Sequence, residues 1–186
     1  RRPRTSGVLT VSVLWTLLLL AATVAVTPVL DRLMGRAACW VLAALYLAAA
    51  AALLPAAAAV MAGGAGDPAT TFAVPWAPQW GVELALRADG IGIVFSMIAL
   101  VIGAVVLAYS ARYLPVGRNL SFSLVMALFT LSMVTLVLAD DLVLLFIAWE
   151  LTSIASFLLI ARSGAAGQAA SMRTLLITFL GGLALL

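Results

Sequence analysis

Six long apolar stretches restrict the fold of this 186-residue chain more than any other feature of its sequence. A helix needs about 20 largely apolar residues to cross the hydrocarbon core of a bilayer. The stretches cover residues 8–30, 37–62, 91–113, 121–138, 142–161 and 172–186. With 66% hydrophobic and 9% charged residues, the composition excludes an ordinary soluble domain and a disordered chain. We therefore expect an all-α integral membrane protein, a polytopic bundle of about six transmembrane helices.

The connections between these stretches are short, with one exception, so residues 1–186 are expected to form a single membrane domain. The chain opens on Arg1 and stops inside an apolar stretch, which favours the N-terminal part of a longer protein. The exception is the loop of residues 63–90, which carries Trp76 and Trp80. Apolar and polar residues alternate through positions 82–87, the period of a strand. We predict a short external β-hairpin, with both tryptophans at the membrane interface.

Arginine placement predicts the orientation of the bundle, because cytoplasmic loops carry an excess of basic residues. Six of the ten basic residues follow the first, third and fifth spans: Arg32, Arg36, Arg112, Arg118, Arg162 and Arg173. These loops are expected in the cytoplasm and the loop of residues 63–90 outside. Arg1, Arg2 and Arg4 disagree with an external N-terminus, and a signal-like leader is the alternative for them.

The sequence lacks the residues of the common cofactor and metal sites. It has no histidine, which excludes imidazole ligands, and its one cysteine, Cys39, can form neither an internal disulfide nor a thiolate cluster. We expect no cofactor and no metal, and Cys39 is interpreted as a packing residue. The net charge of +3 is interpreted as topology information, so no nucleic-acid partner is expected.

Glu150 is the one ionisable residue deep inside a predicted span. As the ninth residue of the stretch 142–161 it lies roughly 12 Å from the start, near the middle of a core about 30 Å thick. A carboxylate there costs on the order of 2–4 kcal/mol. On a helical wheel it shares a face with Val143, Phe146, Ser153 and Phe157, whereas Ala148, Thr152, Ala155 and Ser156 form a face of small residues suited to close helix contact.

Two interpretations of Glu150 remain open on these grounds. A carboxyl group so placed can bind and release protons as a neighbouring charge changes, which is a proton or ion relay. The alternative is a static buried ion pair that joins two helices. The sequence contains no lysine, so a mid-membrane cation would have to come from outside this chain.

The other polar positions in or beside the spans have more ordinary interpretations. Asp140 and Asp141 lie between the fourth and fifth spans, either as solvated end charges or at an ion entrance. Asp89 is expected to cap the third helix. Arg173 opens the sixth stretch, as a positive-inside anchor. The pair Gly181-Gly182 predicts close helix packing.

Residues 149–160, Trp-Glu-Leu-Thr-Ser-Ile-Ala-Ser-Phe-Leu-Leu-Ile, resemble the fifth-helix motif of the antiporter-like family. That family comprises the large subunits of Mrp cation/proton antiporters and the proton-pumping membrane subunits of NADH:quinone oxidoreductase. Residues 87–92, 109–114 and 138–142 are similar to further segments of the family. Within it, the Leu-Thr-Ser that follows Glu150 and the run 176–183 look most like the A-type large subunit of the Mrp antiporters.

The resemblance implies properties that the residues alone do not. The whole protein would be a many-helix bundle with inverted repeats, and residues 72–87 would form the family's β-hairpin. Glu150 matches the family's key glutamate, which works with a lysine on a later helix. Arg173 stands where relatives often carry lysine, but a guanidinium does not readily give up a proton.

The function that the resemblance implies is that of the A-type subunit in a multi-subunit Na⁺/H⁺ antiporter of the bacterial cell membrane, a secondary transporter and not an enzyme. The implied partners are the other antiporter subunits, the lipid bilayer, H⁺, and Na⁺ or K⁺. The alternative is a proton-pumping membrane subunit of NADH:quinone oxidoreductase. A third possibility is a passive scaffold that only holds partner subunits.

Overall fold

The structure, a computed structural model, describes residues 4–61, 71–77, 79, 82–114, 119–162 and 164–185. Within these ranges the chain is almost entirely helical, which confirms the predicted fold class. The elements in chain order are α1 (Arg4–Met34), α2 (Ala38–Ala59), β1 (Thr71–Ala77), β2 (Val82–Arg87), α3 (Gly90–Tyr113), α4 (Asn119–Leu138), α5 (Leu142–Ala161) and α6 (Ala165–Leu185).

The helix limits follow the apolar stretches closely, except at α6. The bounds of α5 coincide with the predicted stretch 142–161, but α6 begins at Ala165, seven residues before the predicted start at 172. Gly164 stands at φ 97°, which turns the chain, and the alanines that follow it are the strongest helix formers. Hydropathy detects only the lipid-length part of such a helix. Arg173 is therefore the ninth residue of α6 and does not open it.

Four helical runs of the described residues are long and apolar enough to cross a membrane. They are Val11–Ala59, Gly90–Tyr113, Leu120–Leu138 and Leu142–Ala161. The first run contains both α1 and α2, because a 3₁₀ turn at Gly35–Ala37 joins them without a gap. Among the described residues α6 is not one of these runs, and Gln168 and Arg173 lie in its first half. That α6 crosses the membrane stays a prediction.

The first four helices form a closed core. Helix α1 packs on α2 and α4, and α3 packs on α2 and α4. Tyr46 of α2 is fully buried at the centre, and its hydroxyl donates to the carbonyl of Met126 in α4 at 3.2 Å. Gly103 of α3 lets that helix approach the Tyr46 ring closely. Cys39 is buried as well, with Sγ 3.5 Å from Oγ of Ser123, in agreement with its interpretation as a packing residue.

The predicted hairpin is present at one end of the core. Strands β1 and β2 pair antiparallel, with Phe72 opposite Leu86. Leu86 is buried and also bridges to Ala139, just after α4. Of the loop 63–90, residues 63–70 and Trp80 lie outside the described residues, whereas Trp76 is exposed. The hairpin thus lies at the same end of the bundle as the α4–α5 junction, as the arginine pattern predicts for these two loops.

Arginines gather at the opposite end. Arg36 donates to the carbonyls of Ala111 and Arg112 at the end of α3, at 3.0 and 2.9 Å. Arg162 donates to Oγ of Ser121 at the start of α4. These contacts place the ends of α1, α3 and α5 together, in agreement with the predicted grouping of loops, while Arg118 lies outside the described residues. Which end faces the cytoplasm stays a prediction.

Candidate functional site

Helix α5 attaches to the core through the face of small residues that the helical wheel predicts. Ala148 and Ala155 are buried, at 1% and 3% exposure. Oγ1 of Thr152 donates across the interface to Oγ of Ser132 in α4 at 3.0 Å. Small side chains allow the two helices to pack closely, and a hydroxyl pair adds a bond where no water is available. With this face turned to α4, Trp149 and Glu150 are directed toward α6.

Helix α6 contacts α5 at the level of Trp149 and Glu150. The indole Nε1–H of Trp149 donates to the carbonyl of Thr178 at 3.3 Å. One turn later along α6 lies Gly182, which is buried. A β-carbon built at Gly182 would overlap Oε1 of Glu150 and come within 3.1 Å of Cδ1 of Trp149. The backbone of α6 therefore lies directly against the Glu150 carboxyl group.

The Glu150 carboxyl group has one oxygen without a donor. Oε1 is buried and has no hydrogen-bond partner among the described residues. The hydroxyl of Ser153, one turn later, donates to the carbonyl of Trp149 at 3.0 Å. A buried oxygen without a donor is costly, and more so when it carries negative charge. A cation beside this oxygen would offset part of that cost.

No described side chain supplies that cation. In the described part of the chain, the one ion pair joins Arg87 and Asp140 at the hairpin. Arg173 lies on α6, but nine residues before Gly182, which is roughly 13 Å along a helix axis. Helix α4, on the other side of α5, contains no charged residue. A static ion pair of Glu150 is thus not formed within the described residues, and a partner from outside this chain stays a prediction.

Asp140 and Asp141 have structural contacts at the start of α5. Nε of Arg87 lies 3.1 Å from Oδ1 of Asp140, and the Asp140 amide donates to the carbonyl of Ala85 at 2.9 Å. Oδ1 of Asp141 accepts from the amides of Val143 and Leu144, at 2.9 and 3.1 Å. These contacts join the hairpin to the junction and cap α5. A role at an ion entrance stays a prediction for both residues.

Asp89 caps α3, as the sequence predicts. Oδ1 of Asp89 accepts from the amide of Gly92 at 2.6 Å, which confirms it as the cap of α3. The same pattern, a carboxylate directly before an apolar helix, occurs at Asp141 and predicts the α5 cap by the same rule. Asp141 was interpreted only as a solvated end charge or as part of an ion entrance, so its role as a cap was not predicted.

The prediction for the glycine pair is confirmed at one of its two positions. Gly182 makes the close contact with α5, whereas a β-carbon at Gly181 would meet nothing within 4 Å in the described part of the chain. The bond from Trp149 to Thr178 was not predicted. Its signal was present in the sequence, since a tryptophan beside a buried acid has an N–H that needs an acceptor.

Comparison with known proteins connects this site to a family. A sequence model of the family described as "NADH:quinone oxidoreductase/Mrp antiporter, TM" matches residues 139–186, the part that contains α5 and α6. A protein of Staphylococcus haemolyticus described as antiporter subunit mnhA2 is 44% identical over 119 residues, 62% of this chain. A Staphylococcus aureus protein with the same description is 41% identical over 118 residues, 61% of this chain.

A solved structure agrees with this fold over nearly the whole length of the chain. A chain in the structure of the Mrp complex from Dietzia sp. DQ12-45-1b superposes with a TM-score of 0.81 and 44% sequence identity, over 94% of this chain. The present chain spans 18% of that chain and 15% of the length of the two staphylococcal relatives. The helix bundle and its hairpin are therefore one part of a much larger architecture in these proteins.

Proposed function

Since this chain belongs to the family of the A-type Mrp antiporter subunits and is a multi-pass protein of a bacterial membrane, we propose that it works in a monovalent cation/proton antiporter, with Glu150 as its proton relay. Its partners are then the other subunits of the antiporter complex and the surrounding lipid. Its substrates are H⁺ and Na⁺ or K⁺, and it acts as part of a transporter rather than as an enzyme.

The observation that supports the relay is the state of the Glu150 carboxyl group. Oε1 is buried without a donor, on the ninth residue of a 20-residue apolar helix. Acids inside membrane helices are rare, and they mark ion and proton pathways when they occur. A purely structural acid would be expected to have its buried oxygen bonded, as Oδ1 of Asp89 and Oδ1 of Asp141 are.

The mechanism follows from the cost of burying charge. With its carboxyl group against the α6 backbone and Oε1 without a donor, Glu150 takes up a proton from one side of the membrane. When a neighbouring charge in the rest of the protein changes, Glu150 gives this proton to the next acceptor along the path. Repetition of this step moves protons along the membrane interior while the cation moves in the opposite sense. The electrical part of the driving force is about 2.3 kcal/mol per charge for each 100 mV.

Everted membrane vesicles from cells without their own antiporters test this proposal. The complete protein is expressed with its partner subunits, the vesicles are energised with a respiratory substrate, and the pH gradient is followed by dye fluorescence on addition of Na⁺ or K⁺. We expect the cation to dissipate the gradient with the unaltered protein. Glu150→Gln keeps the size of the side chain but removes the titratable proton, so it should abolish the response.

The chain offers a matched control for that substitution. Glu83 lies on β2 with an exposed side chain, and Glu83→Gln makes the same chemical change outside the helices. It should leave the response intact. A cation response that survives Glu150→Gln at normal expression would refute the relay.

The family model itself names the second candidate, because it covers membrane subunits of NADH:quinone oxidoreductase as well as Mrp antiporters. In that case the protein would pump protons for a redox reaction catalysed by other subunits. A well-assembled complex that shows no response to Na⁺ or K⁺ would favour this candidate over the antiporter.

A further inference from the structure

Two adjacent glycines of α6 differ sharply in their surroundings. A β-carbon at Gly182 would overlap Oε1 of Glu150 and lie 3.1 and 3.3 Å from Cδ1 and Nε1 of Trp149. A β-carbon at Gly181 would meet nothing within 4 Å among the described residues. Both positions have ordinary helical backbone angles, since the positive φ values of the described glycines occur elsewhere. A glycine at position 182 is therefore not required by the backbone conformation. It is required because a side chain there would overlap Glu150.

We propose that Gly182 is a positioning residue for the Glu150 proton relay: its missing side chain lets the α6 backbone pack against the carboxyl group and hold it in place. The inference rests on the function proposed for Glu150. Gly182 itself carries no proton and contacts no ion. It acts through the side chain of Glu150, by leaving the space in which Oε1 lies.

Trp149 fixes the level at which α6 closes. Its indole N–H donates to the carbonyl of Thr178, which lies four residues before Gly182. In an α-helix that carbonyl is also the acceptor for the amide of Gly182. The bond therefore places Gly182, and not a neighbouring residue of α6, against the residue that follows Trp149. The bond and the glycine contact together hold α6 at this register on α5.

The charged groups on the elements packed against α5 are few and distant from this contact. Helix α6 carries Arg173 nine residues before Gly182, and α4 carries none. Strand β2, which touches α5 at its start, carries Glu83 and Arg87. Within the described residues, the position of the Glu150 carboxyl group therefore depends on how closely α6 packs on α5.

A methyl group at position 182 tests this directly. In Gly182→Ala the methyl cannot share the space of Oε1, so the carboxyl group must turn out of the contact or α6 must move away. Both changes displace the carboxyl group from the place that it occupies beside α6. We expect the pH at which antiport is half-maximal to shift, because the carboxyl group exchanges its proton from a different position. Gly181→Ala makes the same change beside it, where there is space, and should leave the pH profile unaltered.

A second measurement does not depend on transport. The melting temperature of the assembled complex is compared for Gly182→Ala in the unaltered background and in a Glu150→Ala background. Removing the Glu150 side chain makes room for the methyl group, so Gly182→Ala should lower the melting temperature less in that background. Gly181→Ala should change the melting temperature by the same amount in both backgrounds.

The possible results separate the inference from the function on which it rests. A pH profile for Gly182→Ala equal to that of Gly181→Ala, or an equal loss of melting temperature in both backgrounds, would overturn the positioning role. If Glu150→Gln keeps full transport, the relay itself fails, and the melting comparison still decides whether Gly182 and Glu150 are in contact.

Discussion

Replacing Gly103 with alanine tests how tightly the central helices pack. A β-carbon at Gly103 would lie 2.8 Å from Cε2 and 2.9 Å from Cδ2 of Tyr46, and 3.2 Å from Oγ1 of Thr130. Carbon atoms in good contact are about 3.5–4.0 Å apart, so the methyl group overlaps the ring by roughly 0.7 Å. The ring has no free direction, because Tyr46 is fully buried and its hydroxyl is bonded to the carbonyl of Met126.

The loss of stability depends on whether α3 or the tyrosine ring moves. If α3 moves outward, the core loses contacts, and overpacking of this kind costs about 1–3 kcal/mol. If the tyrosine ring moves, its bond to the Met126 carbonyl lengthens, which adds about 1 kcal/mol. We therefore expect Gly103→Ala to destabilise the protein by about 2–3 kcal/mol, despite the higher helix propensity of alanine.

Gly90→Ala is the matched control on the same helix. A β-carbon there would lie 3.6 Å from Cγ1 of Val60, an ordinary contact. The apparent melting temperatures of the detergent-solubilised complex are measured for both variants. We expect a clear fall for Gly103→Ala and little change for Gly90→Ala. Equal melting temperatures for the two variants would show that the Tyr46 contact is less tight than the geometry indicates.

Two further predictions concern the end of the bundle that carries the hairpin. Asp141→Ala should lower the apparent stability by about 0.5–2 kcal/mol through loss of the α5 cap, and Asp141→Asn by less, because an amide oxygen still caps; equal losses in thermal melting would argue against capping. Asp140→Asn should change stability by under about 1 kcal/mol, since the pair with Arg87 is partly exposed, its side chains being 53% and 28% accessible for Arg87 and Asp140. If Asp140→Asn instead weakens the dependence of antiport on cation concentration in vesicles, Asp140 belongs to an ion entrance.

Much of the architecture was predictable because it depends on local patterns. The bounds of α5 coincide with its apolar stretch, and the period-two alternation correctly predicts β2. Asp89 caps α3 as its position before an apolar helix predicts. These features depend on residues within one or two turns of each other, so the linear sequence contains what is needed to predict them.

The sixth apolar stretch was predicted to start at residue 172, whereas α6 starts at Ala165, and the difference has a physical reason. The prediction used hydropathy, which measures the length of chain that lipid can cover, whereas the helix itself extends as far as backbone propensity and the turn at Gly164 allow. Residues 165–171 are rich in alanine, a good helix former, but are not uniformly apolar. Their assignment to a loop placed Arg173 at the start of a helix instead of in its third turn.

The sequence by itself determined that the chain crosses a membrane as helices and that one acid, Glu150, lies near the middle of a span. It also identified a glycine pair suited to close packing. Only the tertiary structure decided that Gly182 contacts Glu150 and that Gly181 does not. Successive residues of a helix differ by about 100° in direction, since each turn contains 3.6 residues. Which of two identical neighbours faces the acid is thus set by how α6 packs on α5, and no local pattern in the pair contains that information.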